Sequence, residues 1–367
     1  VTIEPVPPRA NPALLGQAAA EATLLAAWNS GRLPHAWLLA GPRGIGKATL
    51  AFRFARFVLA QPAPERGAAL LLGAPAKPAS LALGSDHPVF RRVAAGGHAD
   101  LMVLEPGMIH PETGKETLEV VVGHVRRAIE FLSLTPAEGG WRIVVVDHAE
   151  EMNPSAENAL LKILEEPHAR SLLLLVSHAP GRLLPTIRSR CRRLDMPALS
   201  PDILATLLER QAPELDPAQR LAITRLAGGS IGHARELIAA EGLDLYDALL
   251  VTVAARAGAG EALHLLADRA GAFGAGAAAT FRTFCELAEH LAATCAREAA
   301  GAPQDAVFAR EAEVVAAVAG GDPRRWLAAW DRLRGLAAAA DGINLDRRQT
   351  AIAVLTTLRE AAHGRGA

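Results

Sequence analysis

The sequence predicts an α/β domain built on a parallel sheet, followed by an all-helical remainder. Three observations predict it. Short apolar runs alternate with helix-patterned stretches through the first ~195 residues. One run, Arg142-Ile143-Val144-Val145-Val146-Asp147, is β-branched without alternation, the pattern of a strand covered on both faces. After Pro197 the strand patterns stop and Ala- and Leu-rich helical spacing takes over.

Composition bounds the rest. The 367 residues suffice for two or three domains, and half of them are hydrophobic, so a sizeable core is available. Only 4% are aromatic, which predicts many small-residue helices. With 38 basic and 39 acidic residues the net charge is −1, which argues against a surface that grips nucleic acid all over. The three cysteines, Cys191, Cys285 and Cys295, match no metal framework and read as reduced thiols of a cytoplasmic protein. No apolar run approaches a membrane span, and Val1 to Ala10 has no signal-peptide pattern.

Taken in order, Asn11-Pro12 predicts a helix start and a helix to about Ser30. His35 to Ala40 is the first buried strand. A glycine loop follows, and then a helix to about Ala60. Gln61 to Ala82 is rich in Pro, Ala and Gly and reads as a loop or short helical excursion. Asp100 to Glu105 is a second strand. Leu118 to Leu132 has helical apolar spacing. Arg142 to Asp147 is a central strand, and Asn153-Pro154 starts a helix that Pro167 ends. Ser171 to Ser177 is another strand, and Cys191 to Met196 a last, shorter one. Ser200 to Gln211, Pro217 to Leu226 and His233 to Ala240 read as three short helices. From Leu243 the chain is helical almost to its end.

Four motifs carry chemistry. The first is Gly41-Pro42-Arg43-Gly44-Ile45-Gly46-Lys47-Ala48-Thr49, between strand and helix. This is the layout of a phosphate-binding P-loop, in which glycines let backbone N–H groups close around phosphate oxygens. Lys47 would reach the terminal phosphates. The residue after it ordinarily carries a hydroxyl for Mg²⁺, and here it is Ala48. Thr49 does not simply substitute, because one helical step turns a side chain by about 100°. The second motif is Val144-Val145-Val146-Asp147-His148. A strand ending in Asp beside the P-loop strand has a Walker B layout, but His148 stands where an ATPase places its water-orienting glutamate. The blander alternative is that Asp147 only caps a turn. Glu150 and Glu151 follow in a turn that would point them elsewhere. The third motif, Thr186-Ile187-Arg188-Ser189-Arg190-Cys191-Arg192-Arg193, is either a solvated basic loop or an anion site. The fourth, Gly228 to Arg235, sets Arg235 near the start of a helix, as a solvated residue or a phosphate partner. His87, His98, His110 and His124 show no convergent metal spacing.

With these motifs in this order, the chain resembles the delta-prime family of bacterial DNA polymerase III clamp-loader subunits, within the AAA+ superfamily. The most telling residues are Asn158-Ala159-Leu160-Leu161-Lys162-Ile163-Leu164-Glu165-Glu166-Pro167, then Ser177-His178 at a sensor 1 position, then Leu183 to Ser189-Arg190-Cys191. The likeness is strong over His35 to Met196 and fair to Ala240. It implies a RecA-like AAA+ core over 1–196, a helical lid over 197–242 and a helical collar for oligomerisation over 243–367. It implies that Arg190 acts in trans on ATP bound by a neighbouring motor subunit, and that Arg235 is a sensor 2 arginine. The implied partners are motor and delta subunits in a hetero-oligomeric ring, with the sliding clamp and primed DNA reached through the complex. Relatives commonly carry a four-cysteine zinc module after the P-loop helix. Gln61 to His98 has no cysteine, so no zinc is expected. Gly41, Gly44, Gly46, Lys47, Thr49, Asp147 and Arg235 leave static binding of ATP or ADP open. Losing two catalytic parts at Ala48 and His148 predicts no significant ATPase activity. The competing readings are an active AAA+ ATPase of the motor type and a P-loop small-molecule kinase, which would need no helical collar.

Overall fold

A computed structural model describes residues 6–61, 77–111, 113–138, 140–256, 260–274, 276–343 and 346–364. The chain divides into two compact units, one ending at Ile203 and the other beginning at Leu204.

The first unit is organised by five strands: β1 (Ala36–Ala40), β2 (Leu101–Leu104), β3 (Arg142–Val146), β4 (Ser171–Ser177) and β5 (Arg192–Asp195). They lie in the order β2-β3-β4-β1-β5 and every pairing is parallel. β1, β3 and β4 are buried along their full length because helices cover both sheet faces. Alternation sorts their side chains. Trp37, Leu39, Ile143, Val145, Leu172 and Leu174 point to one side, where they meet Leu50, Phe54 and Val58 of helix α2 (Lys47–Leu59). Ala36, Leu38, Val144, Val146, Leu173 and Leu175 point to the other. There they meet Val125 and Ala128 of α4 (Val122–Ser133) and Leu160, Ile163 and Leu164 of α5 (Pro154–Glu165). The register pairs Ala40 with Ser177 and Val146 with Leu175. Three strand ends therefore line up at one carboxyl edge, the position where parallel α/β sheets hold ligands. This strand order, with a glycine loop after β1 and an aspartate after β3, is the RecA-like AAA+ core that the resemblance implies.

Some boundaries differ from expectation. The first helix, α1, is Ala18–Asn29 and does not begin at Pro12. Asn11 closes a local turn through its side chain, and Gly16 takes a left-handed φ of 81° that interrupts the helix. A Cβ at Gly16 would lie 2.6 Å from Leu199, so close packing also selects glycine there. The helix expected from Leu118 starts at Val122, and Leu118 is exposed. A short helix not anticipated, α3 (Pro88–Ala94), is capped by His87. Most of the Gln61 to Ala82 loop lies outside the described residues.

The remaining helices are α6 (Pro185–Arg190), α7 (Pro201–Gln211), α8 (Pro217–Leu226) and α9 (Ile231–Ala239). They are followed by α10 (Gly242–Ala254), α11 (Gly260–Ala270), α12 (Ala277–Ala299), α13 (Ala309–Val318), α14 (Pro323–Ile343) and α15 (Arg347–His363). Asp216 starts α8 with a reciprocal capping box to Gln219, and Ser230 caps α9. One apolar core runs from Leu204 to Ala361 through Leu237, Tyr246, Phe284 and Trp326. The residues expected for a lid and for a collar thus share a single core.

Candidate functional site

The loop after β1 is shaped by its glycines. Gly41, Gly44 and Gly46 all have positive φ, at 155°, 74° and 98°. A Cβ on Gly41 would sit 2.2 Å from the Met196 carbonyl oxygen, since the backbone N–H of Met196 pairs with Ala40 at 2.7 Å. Gly46 caps α2 with no side chain to accept from the first-turn N–H groups, which leaves them suited to an anion. Lys47 is buried. Its Nζ donates to the carbonyls of Gly41 (2.8 Å) and Pro42. Burial lowers its pKa to about 8, while Glu150 and Asp147 pull the other way. Ala48 is half-buried and packs on the apolar core beside α2, and Thr49 is buried.

Asp147 follows the last residue of β3. Its Oδ1 accepts the His148 backbone N–H at 3.0 Å and lies 3.4 Å from His148 Nδ1. Burial raises the Asp147 pKa, against the pull of His148 and Lys47. His148 has a left-handed φ of 51°, uncommon for a residue with a Cβ. Its ring meets that of His178 edge-on, with centroids 5.8 Å apart.

Glu150 departs from the sequence reading. Its side chain is wholly buried and turned to the end of β4. Oε1 accepts the His178 backbone N–H at 3.1 Å and contacts His178 Nδ1. Burial alone would raise the Glu150 pKa, but hydrogen bonds, first that of the Ser177 hydroxyl, hold it below the usual value. Burial lowers the His178 pKa, with Glu150 opposing and with His148, Lys47 and Arg43 adding to the fall. Glu151, by contrast, faces outward to Arg182 at 3.4 Å. The signal that could have found Glu150 is non-local: an acid three residues past the β3 aspartate, and Ser-His at the end of the neighbouring strand.

The sheet edge therefore brings together Gly41, Gly44, Gly46, Lys47 and Asp147, with Thr49 on the first turn of α2. Arg190 lies elsewhere. It ends α6, just before β5, and β5 begins level with Trp37 at the amino end of β1. At about 3.3 Å per residue, Trp37 to Gly41 is a displacement of about 13 Å along the strand. Ile187 and Cys191 are buried and anchor this short helix; burial pushes the Cys191 thiol up to about 12. Arg188, Ser189 and Arg190 face solvent. Arg190 donates to the Thr186 carbonyl (3.1 Å) and pairs with Glu165 (2.8 Å). Arg235 belongs to the helical unit, where Nε and Nη2 donate to Gln211 at 2.9 and 2.7 Å. Among the described residues no three His, Cys, Asp or Glu side chains converge as metal ligands.

The residues fit a nucleotide better than they fit its usual metal. Loop N–H groups, Lys47 and the α2 terminus suit phosphate oxygens. A magnesium ion would need the hydroxyl missing at Ala48, and Asp147 is engaged by His148.

Residues 16–200 match the family described as "DNA polymerase III, delta subunit". The chain belongs to this family. It is 39% identical over 199 residues to the DNA polymerase III subunit delta' of Pseudomonas aeruginosa, covering 53% of each chain. To the subunit delta' of Escherichia coli it is 31% identical over 245 residues, 66% of each. The matched stretches thus span about half to two-thirds of these relatives. It is also 28% identical to the subunit gamma/tau of Mycobacterium tuberculosis over 221 residues, 59% of this chain and 34% of that one. Among solved structures, a gamma-subunit-related protein of Thermotoga maritima aligns at 17% identity with a TM-score of 0.43, covering 93% of this chain and 100% of that one. No helix among the described residues is long and apolar enough to cross a membrane.

Proposed function

We propose that this chain is a non-hydrolysing subunit of a DNA polymerase III clamp loader, supplying Arg190 in trans to ATP held by a neighbouring motor subunit. The observation that carries this reading is the position of Arg190. It is exposed and stands at the amino end of β5, while the chain's own P-loop leaves the carboxyl end of β1. An arginine so placed serves a site on another chain far more readily than its own. Arginine suits the task because its planar, permanently charged fork binds phosphate oxygens through paired hydrogen bonds. The delta' names of the relatives support a place in a DNA polymerase III assembly; in our reading that assembly is a loader that sets a sliding clamp on primed DNA, alongside motor and delta subunits.

At its own P-loop this chain binds ATP or ADP without turning it over, through Gly41, Gly44, Gly46, Lys47 and the α2 terminus, with Thr49 on its first turn. Two catalytic parts are absent at Ala48 and His148. The second reading, an active AAA+ ATPase of the motor type, draws on Lys47 and on the buried Glu150 near it. Turnover by the purified chain separates them: ATP hydrolysis that disappears in Lys47→Ala would establish the second reading. For the arginine, reconstitution decides. Arg190→Ala should leave assembly intact and lower loader ATPase by at least about 100-fold, given the size of arginine-finger effects. An unchanged rate sinks the assignment.

A further inference from the structure

A P-loop site ordinarily shares the charge of its phosphates with a magnesium ion held by a loop hydroxyl and by the aspartate after β3. Here one protein partner of that ion is missing and the other has an oxygen engaged by its neighbour. Ala48 has no side-chain oxygen, and its methyl group packs against the apolar core. Asp147 keeps Oδ1 on the His148 N–H at 3.0 Å, with Nδ1 of the same residue at 3.4 Å. His148 reaches this position through a left-handed backbone, so the engagement is built into the turn.

The edge offers a different partner for phosphate. His178 follows directly on β4, whose last residue lies level with Ala40, the residue before the glycine loop. Its Nδ1 rests against Glu150, whose carboxylate is wholly buried and also takes the His178 N–H at 3.1 Å. A carboxylate behind an imidazole fixes the ring and favours a proton on both nitrogens once an anion stands in front. The His148 ring, edge-on at 5.8 Å, closes one side. Lys47 and Arg43 lie near enough to add to the fall of the His178 pKa while no anion is bound, and the charge of a bound phosphate would offset that fall.

We propose that this site takes a nucleoside di- or triphosphate without a divalent cation, with Lys47 and the Glu150-backed ring of His178 contacting the phosphate oxygens. Asp147 is then an unfavourable neighbour of the phosphates and not a metal ligand. The inference rests on the reading of Gly41–Thr49 as a nucleotide site.

Calorimetric titration of the full chain with ADP and ATP, in EDTA and in MgCl₂, tests it. The dissociation constants in the two media should agree within about threefold, well under one strong interaction. His178→Ala and Lys47→Ala should each weaken binding in EDTA by at least about fivefold, roughly one hydrogen bond. His178→Asn, which keeps a polar side chain, guards against a folding defect in the alanine variant and should weaken binding too. Asp147→Asn should tighten binding or leave it unchanged. Tightening by Mg²⁺ of about tenfold or more, abolished in Asp147→Asn, would overturn the inference and leave the nucleotide reading intact. Unchanged affinity in both His178 variants would also overturn it. No saturable binding, or binding indifferent to Lys47→Ala, would overturn the nucleotide reading itself and the inference with it.

Discussion

Lys47 holds a charge where water is scarce, its ammonium set against the Gly41 and Pro42 carbonyls with a pKa near 8. Below pH 8 the folded and unfolded chains both carry that proton. Between about 8 and the ordinary 10.5 only the unfolded chain keeps it, so stability rises with pH across this window. Solvent screening limits the gain to about 1–2 kcal/mol. The gain should vanish in Lys47→Met, measured as the difference between the two proteins' denaturant midpoints at pH 7.5 and 10. A flat difference would show that Lys47 is not desolvated. Lys47 and the loop glycines were legible because spacing alone carries them. Glu150 was not, because its partners Ser177 and His178 come from another strand, and only the β3–β4 register brings them together.

Buried strands are the most legible elements, since burial on both faces leaves no alternation to misread. Helix ends are less so: Pro12 offered a start signal, but the backbone at Gly16 answers to packing against Leu199 and delays α1 to Ala18. Within the helical unit, α10, α12 and α13 meet around a network absent from any motif. Glu311 accepts from the Tyr246 hydroxyl and the Val307 N–H, and His290 Nε2 lies 3.2 Å away. Burial would raise the Glu311 pKa, but the bonds from His290, Tyr246 and Val307 hold it below 4.5. A depressed carboxylate stabilises the fold above its unfolded pKa, and this contribution is lost as pH falls through the folded value. Glu311→Ala strands a buried hydroxyl and an N–H, at a cost of about 3 kcal/mol. Thermal melts should show the variant's deficit at pH 7 shrinking below pH 4.5. A deficit that persists unchanged in acid would mean that the loss is one of packing.

At the scale of the molecule, each unit has its own apolar core, one set split across the two faces of the sheet and one running from Leu204 to Ala361. A chain of residues 204–367 should therefore fold alone and melt cooperatively, as followed by far-ultraviolet circular dichroism. A broad, non-cooperative melt would show that it depends on the first unit. The family match, over residues 16–200, falls in the α/β unit, where the telling motifs also lie. The helical remainder was legible as helices but not as one core, because long-range packing leaves no local signature. There remains the free side of β5, which pairs only with β1 among the described residues. Three of its four residues, Arg192, Arg193 and Asp195, are exposed and charged. An open strand is a template for any passing chain, and charge along it makes stacking of like copies unfavourable. Arg192→Val with Arg193→Thr should therefore turn a well-behaved protein into one that self-associates through its sheet, seen as light scattering that grows with concentration. The arginines around Cys191 thus guard colloidal solubility, quite apart from any phosphate they meet.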